Sequence, residues 1–132
     1  MSQNPSFIDT WHDYVKSGDS QQLRDLIHDD AIFWSPVVHT PQKGKEIVCQ
    51  YLQAAGKVLG DDNFAYVREI VGERDAVLEF TNEVDGITVN GVDMIRWNDD
   101  GKIVDFKVML RPLKAIQIIH QQMGAALASN DG

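Results

Sequence analysis

The sequence predicts an α+β fold, with helices gathered on one face of a mostly antiparallel sheet. Two observations carry this. Apolar residues recur at helical spacing as far as Leu59, and from Phe64 onward the period drops to two. Asp85-Gly86 then divides the alternating half, a strong two-residue hairpin signal that makes the flanking strands antiparallel neighbours.

Residues 4–16 read as a first helix with Phe7, Trp11 and Tyr14 on one stripe. Ser17-Gly18-Asp19 breaks it: Gly18 suits a C-cap, and Asp19 or Ser20 an N-cap. A short second helix runs through Leu23, Leu26 and Ile27. Asp29-Asp30 precedes an apolar strand, 31–34, which Ser35-Pro36 ends because proline cannot donate to a ladder. Residues 37–43 form a loop with His39 and Pro41. Gly44 opens a third helix, 45–59, whose face holds Ile47, Val48, Tyr51, Leu52, Ala55 and Leu59.

After a turn at 60–63, strands 64–71 and 76–84 are joined by a turn at 72–75. The second strand puts Ala76, Leu78, Phe80, Asn82 and Val84 on one face. Residues 87–97 form a long strand. A turn at 98–101 leads into strand 102–111, with Val104, Phe106, Val108 and Leu110 on one face and the mixed set Ile103, Asp105, Lys107 and Met109 on the other. Pro112 stops the sheet and suits the first turn of a last helix, striped by Leu113, Ile116, His120, Met123 and Leu127. The polar tail, 129–132, is expected to fray.

A chain of 132 residues is expected to form one domain, 1–132, with a real core. Its 43% hydrophobic and 24% charged content suits a soluble globular protein. The formal net charge of −8 disfavours nucleic acid and anionic membranes, which need a basic surface. No apolar run is long enough to span a bilayer, and MSQNPSFIDTWHDYV lacks the basic and apolar regions of a secretory signal. Cys49 is the single cysteine, so no internal disulfide can form. A reducing compartment follows as the expectation, and with it a cytoplasmic location.

The residue that organises the reading is Asp93. In ITVNGVDMIRW it falls on the same side of the strand as Ile87, Val89, Ile95 and Trp97. An acid among apolar neighbours is costly unless it is hydrogen-bonded or neutral, so its pKa should be elevated. The functional reading is a cavity carboxyl that donates a proton to an oxyanion or acts as general acid/base. The plainer one is a structural acid bonded to a neighbour such as Asn82 or Trp11.

Three strings extend this: GDSQQLRDLIHDDAIFWSP, PQKGKEIVCQYL and VDMIRWNDDGKIVDFKVMLRP. In order and spacing they resemble the nuclear-transport-factor-2-like superfamily, which includes the SnoaL-like polyketide cyclases and the ketosteroid isomerases. The resemblance covers nearly the whole chain. It implies a curved sheet wrapped by helices into a cone, a small apolar or amphipathic ligand, and a homodimer formed through the outer sheet face. The isomerases of that superfamily use a first-helix tyrosine, a base before a proline and a protonated sheet aspartic acid. The matching positions here are Trp11, Ser35 and Asp93. A serine without an adjacent base is a poor proton abstractor, which argues against the true ketosteroid isomerase mechanism with its base at that position. The limonene-epoxide-hydrolase branch requires an arginine where this chain has Gly91. The SnoaL-like cyclases, similar in using a sheet aspartate as general acid/base, remain compatible with Asp93.

The cone would be lined by Trp11, Phe33, Phe80, Phe106, Val108 and Leu110, residues that can equally fill a core. Tyr51 falls on the inner stripe of its helix, where its hydroxyl could meet a ligand or Asp93, or simply be satisfied in the core. Asn82 could read a ligand carbonyl or satisfy Asp93. Trp34 and Ser35 are placed at the mouth. His39 could do acid–base work there, or be a solvated loop residue. The histidines show no metal-ligand spacing and no glycine-rich loop joins a strand to a helix, so neither a metal nor a nucleotide cofactor is assigned. Cys49 reads as a small buried hydrophobe.

Two function classes follow. One is a cofactor-independent enzyme of cyclase or isomerase type with Asp93 as general acid/base. The other is a non-catalytic module that binds a ligand in the same cone, or a different chain on the outer sheet face.

Overall fold

A computed structural model describes residues 7–60 and 63–130. The expected helix start at 4–6, part of the 60–63 turn and the end of the tail lie outside the described residues. Helix α1 (Phe7–Ser17) buries Ile8, Trp11 and Tyr14, and its Phe7 stacks on Trp97 at 4.3 Å. Gly18 ends it at φ +67°, its N–H donating to the Tyr14 carbonyl at 2.7 Å, a left-handed cap that glycine enters without strain. Asp19 then accepts from the Gln21 N–H at 2.9 Å and caps α2 (Ser20–Leu26).

Ile27 does not continue this helix. It is already extended and begins β1 (Ile27–Trp34), so Asp29 and Asp30 lie inside the strand rather than before it. A second departure follows: Gln42 and Lys43 of the expected loop form a short strand, β2, against Phe33 and Ile32. Next come α3 (Lys45–Leu59), β3 (Ala65–Val71), β4 (Asp75–Val84), β5 (Ile87–Trp97), β6 (Ile103–Arg111) and α4 (Leu113–Asn130).

The six strands make one curved, mixed sheet in the order β2-β1-β6-β5-β4-β3. Strands β3 to β6 are the antiparallel meander, and β1 joins β6 in parallel. Asp85 and Gly86 take φ values of 51° and 78°, the pair of left-handed residues that a type I′ turn requires. That turn sets Val84 opposite Ile87 and so fixes the whole β4–β5 register.

The helices cover one face, and the core between them and the sheet includes Leu23, Ile27, Val48, Leu78 and Phe106. Strand β6 changes phase near its start. Its register against β5 slips between Arg96 and Trp97, so Ile103, expected on the outer face, is fully buried. The last helix keeps the C-terminal part of its expected stripe, with Met123 packed inward, and departs from it at the start. Ala115 and Ile119 are its buried residues, while Leu113 is 68% exposed.

Candidate functional site

Strand parity carries Asp93 to the inner face of β5, where the two ladders set it opposite Leu78 and Val108. It is 8% exposed. The Tyr66 hydroxyl, from β3, donates to its Oδ2 at 2.6 Å. The Tyr66 oxygen in turn accepts from the Trp11 Nε1–H at 3.0 Å. Donors are thus aligned from the helix through the phenol to the carboxylate. Oδ1 has no hydrogen-bond partner among the described residues, and none of their buried polar side-chain atoms is sealed away unpaired. Oδ1 therefore opens on the cavity.

Burial pushes the Asp93 carboxyl from its ordinary 3.8 up to about 7, while the Tyr66 hydrogen bond pulls the other way. Tyr66 is driven well above its ordinary value, first by burial and then by the charge of Asp93, so it stays a neutral donor.

In front of Asp93 lies a cavity of about 760 Å³. This is within the roughly 300–1,000 Å³ of small-molecule sites. Its floor is Phe80, Phe106, Val108 and Leu110 of the sheet; Trp11, Phe33 and Tyr51 stand on its walls, and Ile119 and Met123 of α4 close one side. Phe33 meets Tyr51 at 5.5 Å and Phe106 at 6.1 Å, tilted rather than stacked. Gly91 is needed under this floor. A Cβ there would come within 2.6 Å of Phe80 and 2.7 Å of Leu110, so no side chain of any kind fits at that position without moving the floor.

Three sequence candidates lie elsewhere. Asn82 shares the inner face but sits opposite Val89, donates to the Leu59 carbonyl at 2.5 Å and does not line the cavity or touch Asp93. It ties the end of α3 to β4. His39 is exposed in its loop, next to Val38 at the cavity's edge, and does not itself line the cavity. Trp34 is on the outer face rather than at the mouth, its Nε1–H donating to Asp105 at 2.8 Å and its ring under Lys107 at 5.1 Å. Ser35 does line the cavity, but its Oγ accepts the Val37 N–H at 3.1 Å, which closes a turn. Cys49 is 3% exposed, and burial pushes its thiol up.

The partner of Asp93 was not foreseen. Tyr66 carried a signal, since Phe64 and Tyr66 alternate at the start of their strand. What hid it is a bulge between Tyr66 and Arg68, after which the strand reverses phase. Tyr14, read only as a core residue, also lines the cavity.

Among solved structures, a steroid delta-isomerase from Pseudomonas aeruginosa is similar at 40% identity and a TM-score of 0.87, covering 94% of this chain and 90% of that one. An uncharacterized protein with a cystatin-like fold from Silicibacter pomeroyi is 30% identical with a TM-score of 0.82, over 90% of this chain and 83% of its own. A nuclear-transport-factor-2-like protein of unknown function from Mesorhizobium loti shares the fold at 20% identity and a TM-score of 0.68, over 80% of this chain and 88% of its own. No curated protein matches. The SnoaL-like domain model matches residues 8–106, from the first turn of α1 to the centre of β6, and the chain belongs to that family.

Proposed function

We propose that this chain is a cofactor-independent enzyme of isomerase or cyclase type, acting on a small, largely apolar molecule held in the cavity, with Asp93 as its general acid/base. The observation that carries the reading is the split environment of Asp93: Oδ2 tied to Tyr66, Oδ1 open to an apolar cavity. A carboxyl held near pH 7 is present in both forms at neutrality. The ionised form removes a proton from carbon next to a carbonyl, forming the Oδ1–H bond as the C–H electron pair moves into an enolate. The acid form returns that proton to another carbon, or to oxygen after ring closure. Both halves need one oxygen with access to the ligand and one held still.

The 40% identity to a steroid delta-isomerase supports polycyclic ketones as the first compounds to try. Ser35 favours a second reading. At the position where the resemblance implies a proton-moving base stands a hydroxyl whose oxygen accepts a turn N–H and has no base beside it, among the described residues, to activate it. A pocket that binds such ketones without turning them over is that alternative. Equilibrium binding and turnover of a Δ5-3-ketosteroid panel by the wild type and Asp93→Asn separate them. Turnover that falls at least about 10²-fold in the variant with binding retained supports the enzyme. Binding without turnover in the wild type supports the pocket protein, and no binding in any case would falsify both.

A homodimer through the outer sheet face belongs to the same proposal. Ile70, Val77 and Met94 pair across three strands in one outer row, and Met109 is 51% exposed beside it. Native mass spectrometry should give a dimer mass that Met94→Glu shifts to monomer. An unchanged mass distribution in the variant removes this face as the interface.

A further inference from the structure

Tyr14 is 6% exposed and lines the cavity, yet its hydroxyl has no hydrogen-bond partner among the described residues. Since no polar side-chain atom among them is both sealed and unpaired, that hydroxyl opens on the cavity. Its ring is held against Trp11 at 5.3 Å. On the other side lies Gly56 of α3, where an added Cβ would stand 3.8 Å from the Tyr14 oxygen. Gly56 sits inside a 15-residue helix, and its φ is not in the left-handed region. The backbone there does not ask for glycine, which weakens a helix relative to alanine. Glycine leaves the space beside the phenol oxygen open on this side, and an alanine methyl would reach it only at ordinary van der Waals contact.

A hydroxyl that lines a cavity and has no partner within the described residues is free to bond to whatever fills that cavity, water or ligand. We infer that the Tyr14 hydroxyl is a second polar anchor of the cavity, donating to an acceptor oxygen on the ligand at a point separate from the group that meets Asp93. This rests on the proposed ligand-binding role of the cavity and narrows the ligand class. The ligand is an apolar body with two oxygen functions, one facing the sheet at Asp93 and one facing the α1–α3 wall. Burial pushes Tyr14 up to about 12, so the anchor stays a neutral donor at ordinary pH and selects a carbonyl, ether or hydroxyl oxygen.

The test uses two probes that differ in one distal oxygen, oestradiol and its 17-deoxy analogue, titrated by calorimetry into the wild type and Tyr14→Phe. The wild type should prefer the two-oxygen probe by about tenfold, and the variant by less than about twofold, with the 17-deoxy affinity unchanged. Equal binding of the two probes by the wild type, or a preference that survives Tyr14→Phe, overturns the anchor and leaves the cavity standing. Failure of both probes to bind overturns the cavity reading and the anchor with it. Melting without ligand is the independent check. Tyr14→Phe should melt at or above the wild type, and a fall of several degrees would show that the hydroxyl is bonded inside the fold.

Discussion

Two tyrosines reach the same cavity and meet opposite fates. The Tyr66 hydroxyl is fully engaged, accepting from Trp11 and donating to Asp93. The Tyr14 hydroxyl, one helical turn beyond Trp11, has neither kind of partner among the described residues. Both are aromatic residues at positions that a hydrophobic core would accept; the Tyr14 ring packs on Trp11, and the Tyr66 ring meets His12, Phe64 and Phe80. The difference is in what each hydroxyl is for. Tyr66 spends its hydrogen bonds on holding an acid inside the protein, and Tyr14 keeps one in reserve.

The largest test of the engaged side is Asp93→Asn. Above its effect on turnover stands an effect on stability with a definite sign. The folded carboxyl titrates at about 7 and the unfolded one near 3.8, so between these values the folded protein binds more protons than the unfolded. Stability therefore falls as pH rises across that window, by up to about 4 kcal/mol when the interval is fully expressed. Asparagine keeps the acceptor for Tyr66 and has nothing to ionise. The variant should be more stable than the wild type at pH 9, by up to that amount, with the gain vanishing toward pH 4. Denaturant melts at several pH values measure it. A wild type whose stability is flat from pH 4 to pH 8 would remove the buried-acid account.

Tyr66→Phe comes next. It takes from Asp93 the one hydrogen bond that favours its charge, and leaves the Trp11 N–H without an acceptor. The Asp93 titration should move further above 7, and the protein should lose about 1.5–3 kcal/mol at pH 9, where the carboxylate is charged, but only about 1 kcal/mol at pH 5. Carbon NMR of the labelled carboxyl follows the titration directly. Movement downward, or none, would mean that Tyr66 is not what balances burial. The contrast with Tyr14→Phe, which should cost no stability, is the sharpest form of the comparison.

Much of this was legible before any coordinates. The strand 87–97 and the helix 45–59 have their expected bounds, because Asp85-Gly86 and Gly44 punctuate them. An acid in a run of inward apolar residues identified Asp93. The place of Asn82 follows from the turn alone. With Val84 facing Ile87, strict pairing puts Asn82 against Val89 and Leu78 against Asp93. The link from Asp93 to Tyr66 is of another kind. It crosses β4 diagonally to an edge strand, and no local spacing connects residues 27 positions apart. The phase change that buries Ile103 is hidden for a similar reason, since a one-residue slip in a ladder leaves no mark on composition. Periodicity reads faces and turns read register; neither reads which polar tips meet.

Trp11 touches both tyrosines, and Trp11→Phe gives the smallest expected effect. Its N–H donates to Tyr66, while its ring lies 5.3 Å from Tyr14 and 5.3 Å from Phe106. Phenylalanine keeps most of the ring contact and removes the donor. A hydrogen bond received by the Tyr66 oxygen makes its own O–H a better donor, because linked hydrogen bonds polarise one another. Its loss should therefore raise the Asp93 titration in the same direction as Tyr66→Phe, but by less, and cost about 1 kcal/mol. Tyr14 should not notice, so the preference for the two-oxygen probe should persist. A shift in Asp93 as large as that in Tyr66→Phe would mean that the helix, rather than the phenol, sets the acid. A lost probe preference with an unmoved Asp93 would mean that Trp11 serves the Tyr14 side through packing alone.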